Sequence, residues 1–124
     1  MKWGTVWDPD RRARILERVA CTETAGERMR GLLGRPPLGA EEGLWIAPCS
    51  SVHTFGMTYP LDLAYLGRGG KILRLVRGLR PRRLSACLGA RVTLEMPAGT
   101  IEGRGLERGS RLVWCPGESP DRAG

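Results

Sequence analysis

The stretch LDLAYLGRGGKILRLV, residues 61–76, places two short apolar runs on either side of a glycine-rich tetrapeptide. In the first run Leu61, Leu63 and Tyr65 alternate with Asp62, so the two sets point to opposite faces of a strand. Glycine adopts positive φ angles without strain, as tight hairpin turns require. The stretch therefore predicts two neighbouring antiparallel strands joined by a short turn.

Short apolar runs separated by Gly and Pro continue through most of the chain and predict further strands. The predicted strands cover residues 12–21, 44–46, 51–57, 61–66, 71–76, 91–96 and 112–114. Several short strands at near-regular spacing favour a mainly β fold, either a small barrel or a sandwich of largely antiparallel strands. One helix in the N-terminal half is expected to pack against them.

The predicted helix starts at a capping box. Thr24 and Glu27 have the Thr-x-x-Glu spacing in which each side chain satisfies a backbone amide left free at the helix start. Met29 and Leu32 follow at helical spacing, and a Gly-Arg-Pro-Pro run ends the helix. We therefore predict a helix at about residues 24–33 that buries Met29 together with Leu32 or the leucine after it.

The length of 124 residues is typical of one domain. We predict a single domain over residues 1–124, with a core at about 12–115 and a frayed tail at 116–124. No stretch reaches the roughly 18 to 20 apolar residues that a membrane span needs. The first residues lack the apolar run of an export signal, so we expect a cytoplasmic protein whose four cysteines are reduced.

Three blocks of sequence, taken in order, resemble those of a known family. They are ERMRGLLGR at residues 27–35, SVHTFGM at 51–57 with YPLDL at 59–63, and LEMPAG at 94–99. Through them the chain resembles, over roughly residues 20–114, the family catalogued as domain of unknown function 192. The resemblance implies a compact, mainly β fold with one short helix, and it brings no established catalytic residue or cofactor.

His53 is the only histidine of the chain and the first candidate for chemistry. A turn between the strands that carry His53 and Asp62 would place both in one polar cluster. Asp62 and Glu95 each interrupt an apolar strand, and this pattern suits either a proton-transfer pair or ordinary ion pairs with arginine. The three residues form the candidate set for a small enzyme.

A thiol nucleophile or a metal site would have to involve Cys49. Four residues along a strand span roughly 13 Å, so only a sharp bend would bring Cys49 to His53. A small buried thiol is the simpler interpretation. A metal site built from Cys49, His53, Asp62 and Glu95 has no paired-ligand motif, and the cysteines contain no Cys-x-x-Cys spacing. We expect no metal and no cofactor.

A ligand pocket is the other use of the segment around His53. Phe55, Met57 and Tyr59 alternate beside it and would line an apolar pocket with a polar rim if they did not simply pack in the core. The candidate ligand-binding residues are His53, Thr54, Phe55, Met57 and Asp62.

The net charge of +7 suits an anionic partner. A basic loop is predicted at residues 77–83, and its arginines are candidates for phosphate contacts: Arg77, Arg80, Arg82 and Arg83. Trp3, Trp7 and Trp45 would offer stacking faces for single-stranded nucleic acid. A solvated loop explains the same charge run without any ligand.

Three functions are therefore open. The leading one is a non-catalytic binding or accessory module that presents residues 53–62 to a small ligand or a protein partner. The alternative is a small hydrolase- or transferase-like enzyme that uses His53 with Asp62 and Glu95. The third is a single-stranded nucleic-acid binder that uses the basic loop.

Overall fold

The computed structural model describes residues 1–117 and confirms a mainly β protein. Within these residues the elements in chain order are β1 (Lys2–Asp8), β2 (Ala13–Cys21), α1 (Ala25–Arg30), β3 (Glu42–Ile46), β4 (Ser51–His53), β5 (Leu61–Leu66), β6 (Ile72–Leu79), β7 (Leu84–Ala86), β8 (Val92–Pro97), α2 (Thr100–Arg104) and β9 (Val113–Pro116). No helix of this part of the chain has the length and apolar character to cross a membrane.

Seven strands form one mixed sheet in the order β6-β5-β8-β3-β2-β1-β9, and β4 and β7 form a separate two-stranded sheet. The β2 and β3 strands run parallel, whereas the other paired neighbours run antiparallel. An isolated bridge between Lys71 and Arg111 joins the start of β6 to the segment before β9. The large sheet nevertheless stays open, so the strands do not form the closed barrel that was one of the two expected arrangements.

The predicted hairpin of β5 and β6 is confirmed. In its turn the Gly67 N–H donates to the Lys71 carbonyl oxygen over 2.8 Å. Gly70 has a φ of 82°, and a Cβ atom there would lie 2.1 Å from the Leu112 carbonyl oxygen. Both the backbone conformation and the close passage of the chain at Leu112 therefore require glycine at this position.

The large sheet buries side chains on both faces, and β5 shows the alternation. Leu61, Leu63 and Tyr65 belong to one apolar cluster, which also contains Leu32 from the turn after α1. We call this the α1 face. The opposite face carries a second cluster, which includes Ile101 of α2, and we call it the α2 face. The α2-face cluster contains Val6, so the core begins before residue 12, where we had placed its start.

The capping box predicted at the start of α1 is confirmed, because Thr24 Oγ1 accepts from the Glu27 N–H and the Glu27 side chain accepts from the Thr24 N–H. The helix is shorter than predicted, since the chain leaves it at Gly31 with a φ of 54°. The change of direction puts Leu32 into the α1-face cluster and leaves Met29 81% exposed. The prediction that Met29 is buried was therefore wrong.

Other local predictions need correction. The strand predicted at 51–57 ends at His53, after which the chain turns, and the basic loop predicted at 77–83 begins inside β6. The sequence patterns gave no sign of β1, β7 or α2. The tail predicted at 116–124 starts with the last residue of β9, and residues 118–124 lie outside the described part of the chain.

Leu32→Ala should lower the free energy of unfolding by about 2 to 5 kcal/mol, because it empties a buried site between α1 and the sheet. Met29→Ala, the matched control one turn earlier, should change it by less than about 0.5 kcal/mol because the Met29 side chain is exposed. Urea titration of both variants measures the difference. Equal losses in the two variants would contradict this account of the packing.

Candidate functional site

An open cavity of about 400 Å³ lies between α1, β4 and the α1 face of the large sheet. Its walls are mostly apolar and are formed by Leu32, Leu33, Ile46, Val52, Met57 and Leu61. Arg28, Met29 and Arg30 line it from the α1 side, and Ser51 and His53 line it from β4. The acidic residue that lines the cavity is Glu95 of β8.

The position of Glu95 follows from strand pairing. Strand β8 lies between β5 and β3, and Glu95 pairs with Leu63 on one side and Leu44 on the other. Directly opposed residues share a face, so the carboxyl group stands in a row of leucines on the α1 face. Glu95 is only 5% exposed, and within the described residues its Oε1 atom has no hydrogen-bond partner.

This burial changes the acidity of Glu95. Removal from water raises the pKa of the Glu95 carboxyl from 4.5 to about 7, and desolvation is the sole cause. Burial also raises the pKa of the Tyr59 hydroxyl, and the charge of Glu95 raises it further. The Tyr59 hydroxyl is likewise buried without a partner in the described part of the chain. Glu95 can therefore exist in either protonation state near neutral pH, and the charged state lacks a compensating donor.

The mouth of the cavity is basic. Arg28 is half-buried, and Arg30 and His53 are exposed, so their charged or polar ends lie nearer to solvent than the carboxyl of Glu95. Arg30 donates from Nε to the Leu33 carbonyl oxygen over 2.9 Å, which holds its side chain along the turn after α1. Within residues 1–117 neither arginine forms a salt bridge. The cavity thus has cations at its mouth and an acid at its floor.

The residues around His53 have different environments. The His53 ring packs at a tilt against the half-exposed Phe55, with ring centroids 5.8 Å apart. Thr54 is fully buried, and its Oγ1 donates to the Arg80 carbonyl oxygen and accepts from the Arg83 N–H. Thr54 therefore fastens the turn after β4 to the segment before β7. His53 and Met57 line the cavity.

Asp62 lies on the other face of the sheet. Its Oδ1 accepts from the Gly78 N–H over 2.9 Å, and its Oδ2 accepts from the Gly99 and Ile101 N–H groups over 3.1 and 2.9 Å. The carboxylate therefore ties β5 to β6 and to the start of α2. The structure brings His53 and Glu95 to one cavity and does not bring Asp62 to them.

Cys49 lines the same cavity as His53 and Glu95. Its thiol lies 3.1 Å from the Ser51 carbonyl oxygen, to which it donates, and no hydrogen bond joins it to His53 in the described residues. Residues 1–117 contain no group of three or more His, Cys, Asp or Glu side chains placed to hold a metal ion.

The basic residues and the tryptophans are carried by different parts of the sheet. Arg77 lies in β6, 3.8 Å from Glu102, while Arg80, Arg82 and Arg83 are exposed in the following loop. Three tryptophans lie on β1 and β3: Trp3 stacks under the Arg18 guanidinium, Trp7 donates to Thr5, and Trp45 packs against the α2-face cluster. In the sheet order β1 and β3 are both separated from β6.

Sequence reasoning named His53, Met57 and Glu95 but missed the contribution of the helix. Arg28, Met29 and Arg30 line the cavity because α1 ends early and turns beside β4. A signal was present, since every block that carries the family resemblance, at residues 27–35, 51–57, 59–63 and 94–99, contributes at least one residue to this one cavity.

Comparison with protein families gives a match over residues 7–114 to the model named DUF192, described as "Uncharacterized ACR". No curated protein matches the chain.

Two solved structures share the fold. A protein of unknown function from Novosphingobium aromaticivorans is 23% identical, with a TM-score of 0.76 over 90% of this chain and 84% of that one. A protein from Sinorhizobium meliloti, described as a "putative transcription regulator", is 19% identical, with a TM-score of 0.77 over 91% of this chain and 92% of that one. At these identities the likeness is one of fold.

Asp62→Ala should lower the free energy of unfolding by about 3 kcal/mol or more, because three backbone N–H groups lose a charged acceptor. Asp10→Ala is the matched control, since Asp10 is exposed and its side chain makes one long contact with Arg111. The control should lose less than about 0.5 kcal/mol. A loss below about 1 kcal/mol for Asp62→Ala in urea titration would show that the three hydrogen bonds contribute little.

The stability of the protein should fall between pH 4.5 and pH 7 through Glu95. The folded-state pKa of about 7 lies above the ordinary 4.5, so the stability contribution is complete below pH 4.5 and is lost as the pH rises through 7. The loss from pH 5 to pH 8 should be about 2 to 3 kcal/mol.

Urea titrations at pH 5 and pH 8 measure this loss as the difference between the wild-type protein and Glu95→Gln. Glu102→Gln, at an exposed glutamate, serves as the control and should keep the wild-type pH dependence. The same pH dependence in the wild-type protein and Glu95→Gln would contradict the assignment to Glu95.

Proposed function

This chain belongs to the DUF192 family, whose model covers most of its length, and we propose that it is a non-catalytic binding module for a small molecule. The ligand has a largely apolar body and a hydrogen-bond donor, and it occupies the cavity between α1 and β4. The observation that carries the proposal is the buried carboxyl of Glu95, which lines this cavity and has an oxygen atom without a partner in the described residues.

The walls of the cavity support an apolar ligand body. Leucine, isoleucine, valine and methionine side chains form most of its lining. A volume of about 400 Å³ falls in the lower part of the range for small-molecule pockets, roughly 300 to 1,000 Å³. Such pockets usually combine an apolar lining with a few polar groups that orient the ligand.

Glu95 supports a donor at the buried end of the ligand. An ionised carboxyl group removed from water without a donor is unfavourable, and a ligand N–H would relieve that cost. A protonated amine suits the site best, because it supplies both hydrogen bonds and a positive charge.

The enzymatic alternative has weaker support. A nucleophile and its base need a hydrogen bond between them, whereas the Cys49 thiol donates to the Ser51 carbonyl oxygen. The carboxyl of Glu95 has a pKa suited to proton transfer, but Asp62, the other acid of the predicted set, lies on the opposite face. The arrangement therefore favours binding over catalysis.

Binding can be tested by NMR titration of the isotopically labelled protein at pH 8 with hexylamine, benzylamine and 1-hexanol. We expect the amines to shift the amide signals of Leu32, Val52 and Met57. Glu95→Gln should weaken amine binding by about tenfold or more, because the charged acceptor is lost. Glu102→Gln should leave the affinity unchanged, since Glu102 lies in α2 on the other face.

The proposal fails if none of the three probes shifts these signals, or if Glu95→Gln binds hexylamine as tightly as the wild-type protein does. Amine binding should also weaken as the pH falls from 8 to 5.5, since Glu95 takes up a proton over that range. Amine binding that stays constant over this range would contradict the role of Glu95.

A further inference from the structure

We infer that the ligand of this cavity is a bifunctional small molecule with an amino group at its buried end and an acidic group at its exposed end. This inference rests on the proposed function and adds the second group of the ligand. Its basis is the separation of charge along the cavity, with the carboxyl of Glu95 at the floor and the guanidinium groups of Arg28 and Arg30 at the mouth.

The arginines at the mouth do not form an ion pair with Glu95. Glu95 forms no salt bridge within the described residues, so no guanidinium there lies within 4 Å of its carboxyl oxygens. Burial accordingly raises the pKa of this carboxyl without an opposing positive charge. The two charges are thus available to two different groups of one ligand.

Arg28 is the better placed of the two arginines to hold an anion. Arg30 already donates to the carbonyl oxygens of Leu33 and Gly34, which ties its side chain to the turn after α1. The guanidinium of Arg28 makes no hydrogen bond or salt bridge with the described residues, yet its side chain lines the cavity. A planar guanidinium with free donors suits a carboxylate or a phosphate.

The middle of the cavity determines what joins the two ends. Most of the remaining lining is apolar, and Val52, Met57 and Leu61 in it carry no charged atom. An unbranched or lightly branched hydrocarbon linker would bury apolar surface there while its ends reach Glu95 and Arg28. The acid at the exposed end is a carboxylate or a phosphate monoester, since Arg28 recognises the chemistry that both share.

The experiment compares probes that differ by one group at pH 8: 6-aminohexanoate, 6-aminohexyl phosphate, hexylamine and hexanoate. At least one of the two bifunctional probes should bind about fivefold more tightly than hexylamine, the gain expected of an exposed ion pair. Hexanoate should bind more weakly than hexylamine, because it brings no donor to the buried carboxyl of Glu95. Whichever of 6-aminohexanoate and 6-aminohexyl phosphate binds more tightly identifies the acidic group as a carboxylate or a phosphate.

Two variants separate the ends of the ligand. Arg28→Gln should remove the gain, so that the better bifunctional probe binds this variant no more tightly than hexylamine binds it. Glu95→Gln should weaken the binding of the bifunctional probe and of hexylamine alike. Arg108→Gln, at an exposed arginine beside Lys71 and away from the cavity, should alter neither.

Hexylamine binding that depends on Glu95, together with no gain from either acidic group, would overturn this inference and leave the proposed function standing. The inference would also be overturned if Nα-acetyl-lysine amide, which has a free amine but no acid, bound as tightly as the better bifunctional probe. A failure of every amine to bind would remove both proposals. A gain over hexylamine that is present in the wild-type protein and in Arg108→Gln but absent in Arg28→Gln supports the bifunctional ligand.

Discussion

The pairing of β8 between β5 and β3 is the constraint on which the rest of the structure depends. Side chains alternate along each strand, and directly paired residues share a face. The registers Leu63–Glu95–Leu44 and Asp62–Met96 therefore send the two acids of these strands to opposite sides of the sheet. A shift of one residue in the pairing of β5 with β8 would instead put both carboxyl groups on the same face of the sheet.

The two carboxyl groups differ in the hydrogen bonds that their faces of the sheet provide. On the α2 face the Asp62 carboxylate receives three backbone N–H groups and thereby holds the short helix α2 against β5 and β6. On the α1 face Glu95 stands among leucines with an oxygen that lacks a partner in the described residues. Burial with donors makes a structural connection, and burial without them leaves a polar group that a ligand can satisfy.

The α1 face owes its cavity to the early end of the first helix. Because the chain turns at Gly31, Leu32 covers the sheet beside the cavity while Arg28 and Met29 stay at its mouth. Strand β4 pairs with β7 in a separate small sheet and closes the other side. The sequence blocks that carry the resemblance to DUF192 thus all contribute to the lining of one cavity, although they are spread along the chain.

The sequence by itself determined the features that depend on near neighbours. The capping box of Thr24 and Glu27, the hairpin turn at 67–70 and the alternation of β5 are local, and each could be predicted. Strand β1 escaped prediction because its fully buried positions are Gly4, Val6 and Asp8, so its apolar pattern is weak. Gly4 is needed there because a Cβ atom would lie 2.2 Å from the Cys115 carbonyl oxygen, a contact between distant parts of the chain.

Which candidate residues come together in the cavity was decided only by the tertiary structure. Sequence alone showed that His53, Asp62 and Glu95 were candidates and that each acid interrupts an apolar strand. Which acid meets His53 depends on strand register and on the path of α1, and these follow from packing between segments far apart in sequence. The structure placed Glu95 under the helix and Asp62 behind the sheet because adjacent positions on paired strands must face opposite ways.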